Sequence, residues 1–225
     1  LGTNGGNPVA RMLSVGNSIL TGSVWLEGSY NHLASYDNSP YGNIATAIGI
    51  NSNNVDHTLI SSTGLIYDAG EGNFLERIKA TNLSGYDVVL THLWTGDMSS
   101  PLGTINSTAG DGSIAGAVVV LVNYIKVSNG NCQLILVGVP PVSTSIYGDV
   151  TFTGNYPNGR NLSACETLMS ELAEKYHFTF IGWQDLNLSY YYHSFTDGLN
   201  VHANNENTYR VMGGYLGGRA SRNIN

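Results

Sequence analysis

The serine at position 18 is placed in this sequence where a nucleophile would be expected. Ser18 follows the apolar segment Val9–Val15 and lies between two glycines, Gly16 and Gly22. An apolar run that breaks at such a turn is typical of a buried strand that ends at the edge of a parallel sheet. A hydroxyl there can attack a carbonyl carbon once a base removes its proton. Ser18 could equally be the N-cap of a helix, which is common for serine.

The base that Ser18 needs is predicted to be His202, near the carboxyl end of the chain. His202 lies in a polar segment before the last predicted helix and follows Asp197 by five residues. A carboxylate there can hold the imidazole in the required tautomer and stabilise its charged form. A loop histidine can also simply face solvent. The other histidines of the chain, none of which follows an acidic turn in this way, are His32, His57, His92, His177 and His193.

Short apolar segments predict the strands that position these residues. They are Val9–Val15, Val55–Ile60, Asp87–Leu93, Gln133–Val139 and Phe178–Ile181. Helical patterns are found at Tyr41–Ile48, Asn73–Ala80, Ser113–Val127, Asn161–Tyr176 and Asn205–Arg219. The alternation of strands and helices predicts an α/β fold with a five-stranded parallel sheet, joined by right-handed crossovers, between two layers of helices.

The carboxyl edge of the predicted sheet is where a functional site is expected, because ligands bind there in open parallel sheets. Ser18 follows the first strand, and Thr95–Asp97 follow the third. The polar, glycine-rich stretches Ser99–Gly112 and Ser143–Gly159 are expected to be loops over the sheet. Long loops at that edge often shape a substrate cleft.

The composition limits the classes of function and the location. Hydrophobic residues make up 42% of the chain and charged residues only 11%, and the formal net charge is −7. The nine lysines and arginines predict no basic patch for nucleic acid. No apolar run is long enough to span a membrane. A surface of neutral polar groups favours an extracellular, cell-surface or virion-associated protein.

The chain is predicted to contain one domain. Residues 9–225 form that domain, and residues 1–8 are expected to be a linker, which suggests a larger parent polypeptide or assembly. Cys132 and Cys165 are expected to be buried free thiols, although the sequence leaves a disulfide open. The two cysteines do not have the spacing of a zinc site.

These residues and their order resemble the SGNH/GDSL hydrolase family over most of the chain, from the first strand to the last helix. The first family motif, Gly-Asp-Ser in many members, corresponds here to Gly16-Asn17-Ser18. The resemblance implies a flavodoxin-like sheet topology, Ser18 as nucleophile, and no metal or organic cofactor. It also implies that the backbone N–H groups of Ser18 and Gly64 bind the oxyanion, since Gly64 follows the second strand.

The third family motif, Gly-x-Asn-Asp, is altered in this chain. The corresponding segment is Trp94-Thr95-Gly96-Asp97, so Asp97 matches while Gly96 replaces the asparagine that donates to the oxyanion. Loss of one oxyanion donor costs roughly 10²–10³ in rate in a well-studied protease. Asn17 or a backbone N–H could supply the missing donor. Trp94, Gly96 and Asp97 are expected to line the site.

The fourth family motif, Asp-x-x-His, is altered as well, because Asp197 lies five residues before His202 instead of three. Either Asp197 reaches the imidazole through a different turn, or a backbone carbonyl orients His202 in a Ser–His dyad. Asp185 and Asp97 are weaker candidates for the acid.

The resemblance implies a serine esterase that removes O-acyl groups, above all O-acetyl, from an acylated glycan. Aromatic residues near predicted loops could stack on sugar rings. The two altered motifs favour an alternative, which is a glycan-binding or receptor-recognition domain of a larger surface or phage tail protein. A flavin or nucleotide binder is disfavoured, because the turn at Gly16–Gly22 lacks a P-loop lysine and the Gly-x-Gly-x-x-Gly spacing.

Overall fold

The structure, a computed structural model, consists of strands and helices that alternate along the chain. It describes residues 10–26, 29–60, 63–68, 70, 72–140, 143–144, 148–149, 161–183 and 206–223. In chain order the elements are β1 (Met12–Gly16), α1 (Ser18–Thr21), β2 (Ser23–Leu26), β3 (Ser29–Leu33), α2 (Pro40–Ala47), β4 (Val55–Leu59), α3 (Phe74–Ala80), β5 (Val88–His92), α4 (Ile114–Ser128), β6 (Gln133–Val137), β7 (Ser143–Thr144), β8 (Gly148–Asp149), α5 (Leu162–Tyr176), β9 (Thr179–Ile181) and α6 (Glu206–Asn223).

The central sheet has five strands in the order β4-β1-β5-β6-β9, and every neighbouring pair is parallel. This confirms the predicted α/β fold and its five-stranded parallel sheet. In this order β1 and β5 are neighbours in the middle of the sheet. The residues that follow β1, β4 and β5 therefore meet at one part of the carboxyl edge.

Both faces of the sheet are covered by helices, so its central strands are buried on both sides. All residues of β1 and β5 are buried. Side chains of the strands alternate between two cores, as the period of a strand requires. Leu13 and Val89 pack with α3, α4 and α5, whereas Met12 and Leu90 pack with α1, α2 and α6. Burial on two faces explains why these strands are continuous apolar runs in the sequence.

Three helices begin one residue later than the sequence pattern predicts, because the first residue of each pattern is the N-cap. Asn73, Ser113 and Asn161 have extended backbone angles, and each side chain accepts a hydrogen bond from the first turn of its helix. Asn73 and Glu76 complete a reciprocal capping box at the start of α3. An N-cap residue closes the helix from outside its regular dihedral angles, which fixes these boundaries.

An antiparallel pair that the sequence pattern did not predict follows α1. Strands β2 and β3 pair in the register Ser23↔Leu33 to Leu26↔Ser29, with an irregularity after Val24. The predicted loop at residues 99–112 contains no strand and no α-helix. Its first residue, Ser99, ends a short 3₁₀ helix that spans Thr95–Ser99. Much of the predicted loop at residues 143–159 lies outside the described residues, apart from the short pair β7–β8.

Cys132 and Cys165 are both buried and are not bonded to each other. Burial raises the pKa of each thiol to about 12. In the part of the chain that the structure describes, no helix has the length and apolar character needed to cross a membrane.

Candidate active site

Ser18 is the first residue of α1, directly past the carboxyl end of β1. The N-cap of this helix is Asn17, whose side chain accepts a hydrogen bond from the Ile19 N–H at 3.0 Å. The capping role that Ser18 could have had therefore belongs to Asn17. Gly22 ends α1 in the left-handed region at φ 76°, so the helix is a single turn. Ser18 is partly buried at the beginning of that turn.

Hydrogen bonds from Asn17 connect the turn that begins at Ser18 to the loop after β4 and to the end of β5. It is fully buried, and its amide nitrogen donates to the Thr63 carbonyl at 2.9 Å, in the loop after β4. Its backbone N–H donates to Nε2 of His92, the last residue of β5, at 3.2 Å. The amide nitrogen and the amide oxygen of Asn17 therefore both have hydrogen-bond partners within the protein. A role for Asn17 as an oxyanion donor stays a prediction.

His92 is a structural residue of this site that sequence analysis considered only as a competing base. Its ring atom Nδ1 lies 3.0 Å from the Leu93 carbonyl oxygen, and Nε2 accepts a hydrogen bond from the Asn17 N–H. These two backbone partners require a neutral ring with its proton on Nδ1. Burial lowers the pKa of His92 to about 4. Since the lone pair of Nε2 is occupied by Asn17, His92 supports the Ser18 turn and is not oriented to accept a proton from the hydroxyl.

Asp97 holds together the loops that follow β4 and β5. Its buried carboxylate accepts backbone N–H groups from Leu65 and Trp94 at one oxygen, and from Ile66 and Tyr67 at the other, at 2.8–2.9 Å. Burial raises the pKa of Asp97, and the backbone donors oppose that shift. A carboxylate has about four acceptor positions. With four donors already bound, Asp97 acts as a scaffold of the site and not as a partner for a histidine.

Gly64 is packed so closely against the Asp97 carboxylate that only a glycine fits at this position. A Cβ at Gly64 would overlap both oxygens of that carboxylate. The Gly64 N–H donates to the Tyr67 carbonyl at 3.0 Å, and its carbonyl accepts the Phe74 N–H at 2.9 Å. The requirement for glycine is explained by this packing. Its role as an oxyanion donor stays a prediction, because its N–H would have to leave or share the Tyr67 carbonyl.

The Tyr67 ring covers Gly96, where the family motif has its asparagine. A Cβ at Gly96 would lie 2.6 Å from Cγ and Cδ1 of Tyr67. The neighbouring Trp94 is only 8% exposed, which leaves little of its ring for a ligand. The buried hydroxyl of Thr95 has no hydrogen-bond partner among the described residues. No sequence motif includes Tyr67, because its contact with Gly96 joins two different loops.

The structure thus brings together Asn17, Ser18, Gly64, Gly96 and Asp97 at one edge of the sheet. The predicted base and acid, His202 and Asp197, lie outside the described residues, as does Asp185. Their roles stay predictions. Within the ranges that the structure describes, no three His, Cys, Asp or Glu side chains are grouped in a way that could hold a metal ion.

The fold is similar to those of several solved esterase structures. A carbohydrate acetylesterase from Sinorhizobium meliloti aligns at a TM-score of 0.63 and 17% identity, over 95% of this chain and 99% of its own. An aryl esterase from M. smegmatis aligns at 0.62 and 18% identity, over 96% and 98%. A proposed GDSL-like lipase from Bacteroides ovatus aligns at 0.54 and 12% identity, over 96% of each chain.

No protein-family model and no curated protein matches this sequence. The similarity therefore lies in the course of the backbone. At these low identities the structural alignments show the fold and not the reaction. The chain has an SGNH/GDSL hydrolase-like fold.

Proposed function

We propose that this protein is a serine esterase that removes O-acyl groups, in particular O-acetyl groups, from a carbohydrate. The observation that carries the proposal is the position of Ser18, the first residue of α1 and directly past the carboxyl end of β1, in an SGNH/GDSL hydrolase-like fold. Asn17 ties this turn to the loop after β4 and to the end of β5. A nucleophile needs such fixed placement, because small displacements cost large factors in rate.

In the proposed reaction His202 accepts the hydroxyl proton of Ser18 while Oγ attacks the acyl carbonyl carbon. The oxyanion that forms is bound by the N–H groups of Ser18 and Gly64. When the bond between the carbonyl carbon and the sugar oxygen breaks, that oxygen takes the proton from His202. Water then attacks the acyl-enzyme, gives a proton to His202 and releases the acid, and that proton returns to Ser18. Asp197 orients the imidazole throughout.

A glycan substrate is supported by one of the structural neighbours. The Sinorhizobium meliloti protein is a carbohydrate acetylesterase that aligns over 95% of this chain. An extracellular, cell-surface or virion location, with the chain as part of a larger assembly, belongs to the same proposal.

The loops after β4 and β5 favour a second candidate function, which is glycan binding with little or no catalysis. Tyr67 excludes a side chain at Gly96, so the asparagine donor of the family motif is missing. The Gly64 N–H already has an acceptor in Tyr67. A site with these two weaknesses could recognise an acylated glycan in a phage tail or surface protein without cleaving it.

Hydrolysis of p-nitrophenyl acetate separates the two functions. The esterase proposal predicts turnover by the wild-type protein and a loss of at least about 10³-fold in kcat for Ser18→Ala and for His202→Ala. His177→Asn is the matched control, because His177 is exposed at the end of α5, in the left-handed region that asparagine tolerates. Equal rates for wild type and Ser18→Ala would reject the esterase and leave the binding function.

A further inference from the structure

The site contains an aromatic side chain that no family motif assigns. We propose that Tyr67 is a substrate-contacting residue, which fills the place of the side chain missing at Gly96 and packs its ring against the sugar ring of an acylated glycan. The glycan part of this inference rests on the proposed function. The steric relation between Tyr67 and Gly96 depends only on the structure.

The steric relation between Tyr67 and Gly96 is reciprocal. Ring atoms Cγ and Cδ1 lie 2.6 Å, and Cε1 3.1 Å, from the position of a Cβ on Gly96. Real Cβ atoms do not approach ring atoms so closely, because such distances are far inside van der Waals contact. An asparagine at position 96 and the observed Tyr67 ring are therefore mutually exclusive. The ring occupies the space into which the family's asparagine would extend.

The backbone of Tyr67 is fixed on both sides. Its N–H donates to Oδ1 of Asp97 at 2.9 Å, and its carbonyl accepts the Gly64 N–H at 3.0 Å. The preceding residues, Leu65 and Ile66, donate to the same carboxylate. The backbone that carries the ring is therefore anchored, and the ring itself packs on Gly96. Little ordering of this loop is needed when a ligand binds, which favours an aromatic contact here.

Tyr67 is also exposed to solvent, although several residues that support it are buried. It is 40% exposed, whereas Asp97, Leu65 and Thr63 are fully buried. The loop that carries it touches the Ser18 turn, because the Thr63 carbonyl accepts from the Asn17 side chain. An exposed aromatic ring on the loop that contacts the Ser18 turn is suited to stack on the flat, apolar face of a sugar ring. The position of Tyr67 fits the alcohol part of the ester, with the acyl carbonyl at Ser18.

Kinetics with two acetate esters test this role. Glucose pentaacetate carries a sugar ring and ethyl acetate does not. For Tyr67→Ala we expect kcat/KM to fall about tenfold more for glucose pentaacetate than for ethyl acetate, mainly through KM. Tyr67→Phe, which keeps the ring, should restore most of the lost selectivity. Tyr176→Ala is the control, since Tyr176 ends α5 just before β9 begins, at the amino edge of the sheet.

Three outcomes would overturn the inference. Equal losses on both esters in Tyr67→Ala would show a merely structural residue. A loss of kcat on both esters in Tyr67→Phe would show that the hydroxyl is an oxyanion donor. A Gly96→Asn variant with the melting temperature of the wild type would refute the steric relation, which predicts that this variant is destabilised and that adding Tyr67→Ala relieves the loss.

If the proposed esterase function is wrong, the kinetic result with the two esters is different. A wild-type protein that hydrolyses neither ester is not an esterase. In that case binding of glucose pentaacetate to the wild type and to Tyr67→Ala, followed by ligand-observed NMR, tests the same contact. Equal binding by both, or binding by neither, would overturn the role of Tyr67.

Discussion

At the scale of single residues, the Asp97 carboxylate organises the site through four backbone N–H groups. In Asp97→Asn one carboxylate oxygen is replaced by an NH₂ group, which cannot accept hydrogen bonds. The backbone N–H groups that this oxygen accepted are then buried without an acceptor. We expect a loss of about 3 kcal/mol or more in the free energy of unfolding, measured by urea denaturation, together with loss of esterase activity. Asp111→Asn, at an exposed carboxylate with similar donors, is the control. Equal effects of the two substitutions would contradict the role of Asp97.

His92 is predicted to act through Asn17. His92→Phe keeps an aromatic ring but removes the acceptor of the Asn17 N–H and the donor to the Leu93 carbonyl. Each buried group left without a partner costs about 1–3 kcal/mol, so the melting temperature should fall. The Ser18 turn should also shift, which lowers kcat more than it changes KM. His177→Asn is a control for histidine replacement, because His177 is exposed in the left-handed region, which asparagine tolerates. An unchanged kcat in stable His92→Phe protein would argue against a positioning role.

Local sequence motifs predicted the place of some of these residues in the site and did not predict the place of others. Ser18, Gly64 and Asp97 each follow an apolar strand, so their place at the sheet edge could be inferred from the chain alone. His92 and Tyr67 could not be assigned in that way. Their roles depend on contacts with Asn17 and Gly96, which lie in loops or turns far away along the chain. Such contacts exist only after the strands have paired.

At the scale of elements, the close packing of α6 on α2 requires a glycine at position 217 of α6 but not at position 214. A Cβ on Gly217 would lie 2.8 Å from the Asn43 carbonyl oxygen, whereas one on Gly214 would meet nothing within 4 Å. Gly217→Ala should therefore force the helices apart and lower the melting temperature. Gly214→Ala should raise it slightly, because alanine favours a helix over glycine by about 1 kcal/mol. Thermal unfolding followed by circular dichroism compares the two. Stabilisation by both substitutions would contradict the close packing.

The parallel sheet and its helices could be predicted because burial on two faces leaves a strong apolar signal. The starts of α3, α4 and α5 were displaced by one residue, since a cap such as Asn73 belongs to the pattern but not to the helix. The β2–β3 pair was missed. Its strands are short and form a separate two-stranded sheet, so the sequence carries no two-sided apolar run there.

At the scale of the whole molecule, two histidines shielded from water, the buried His92 and the partly buried His57, make stability depend on pH. Burial lowers the pKa of His57 and of His92 from 6.5 to about 4. The unfolded chain therefore binds more protons than the folded one between these values. The stability that the neutral rings provide is complete above pH 6.5 and is lost as the pH falls toward 4, by at most about 1.4 kcal/mol per pH unit for each histidine.

Urea unfolding of wild type and His57→Phe at about pH 7.5 and pH 5 measures this effect, and the difference between the two proteins removes the contribution of all other groups. His57 is chosen because its ring stacks on Tyr41 at 4.2 Å, a contact that phenylalanine can keep. We expect the variant to lose less stability on acidification than the wild type. An identical loss in both would show that His57 does not titrate with a lowered pKa.

The central claim, that Ser18 is an activated nucleophile, is tested most directly by covalent labelling. The protein is treated with a fluorophosphonate, and intact-mass and peptide mass spectrometry locate the adduct. If Ser18 is the nucleophile, we expect one label per chain, on Ser18, and no label in Ser18→Ala or in heat-denatured protein. A folded wild-type protein that stays unlabelled, or that is labelled equally when Ser18 is replaced, would contradict it.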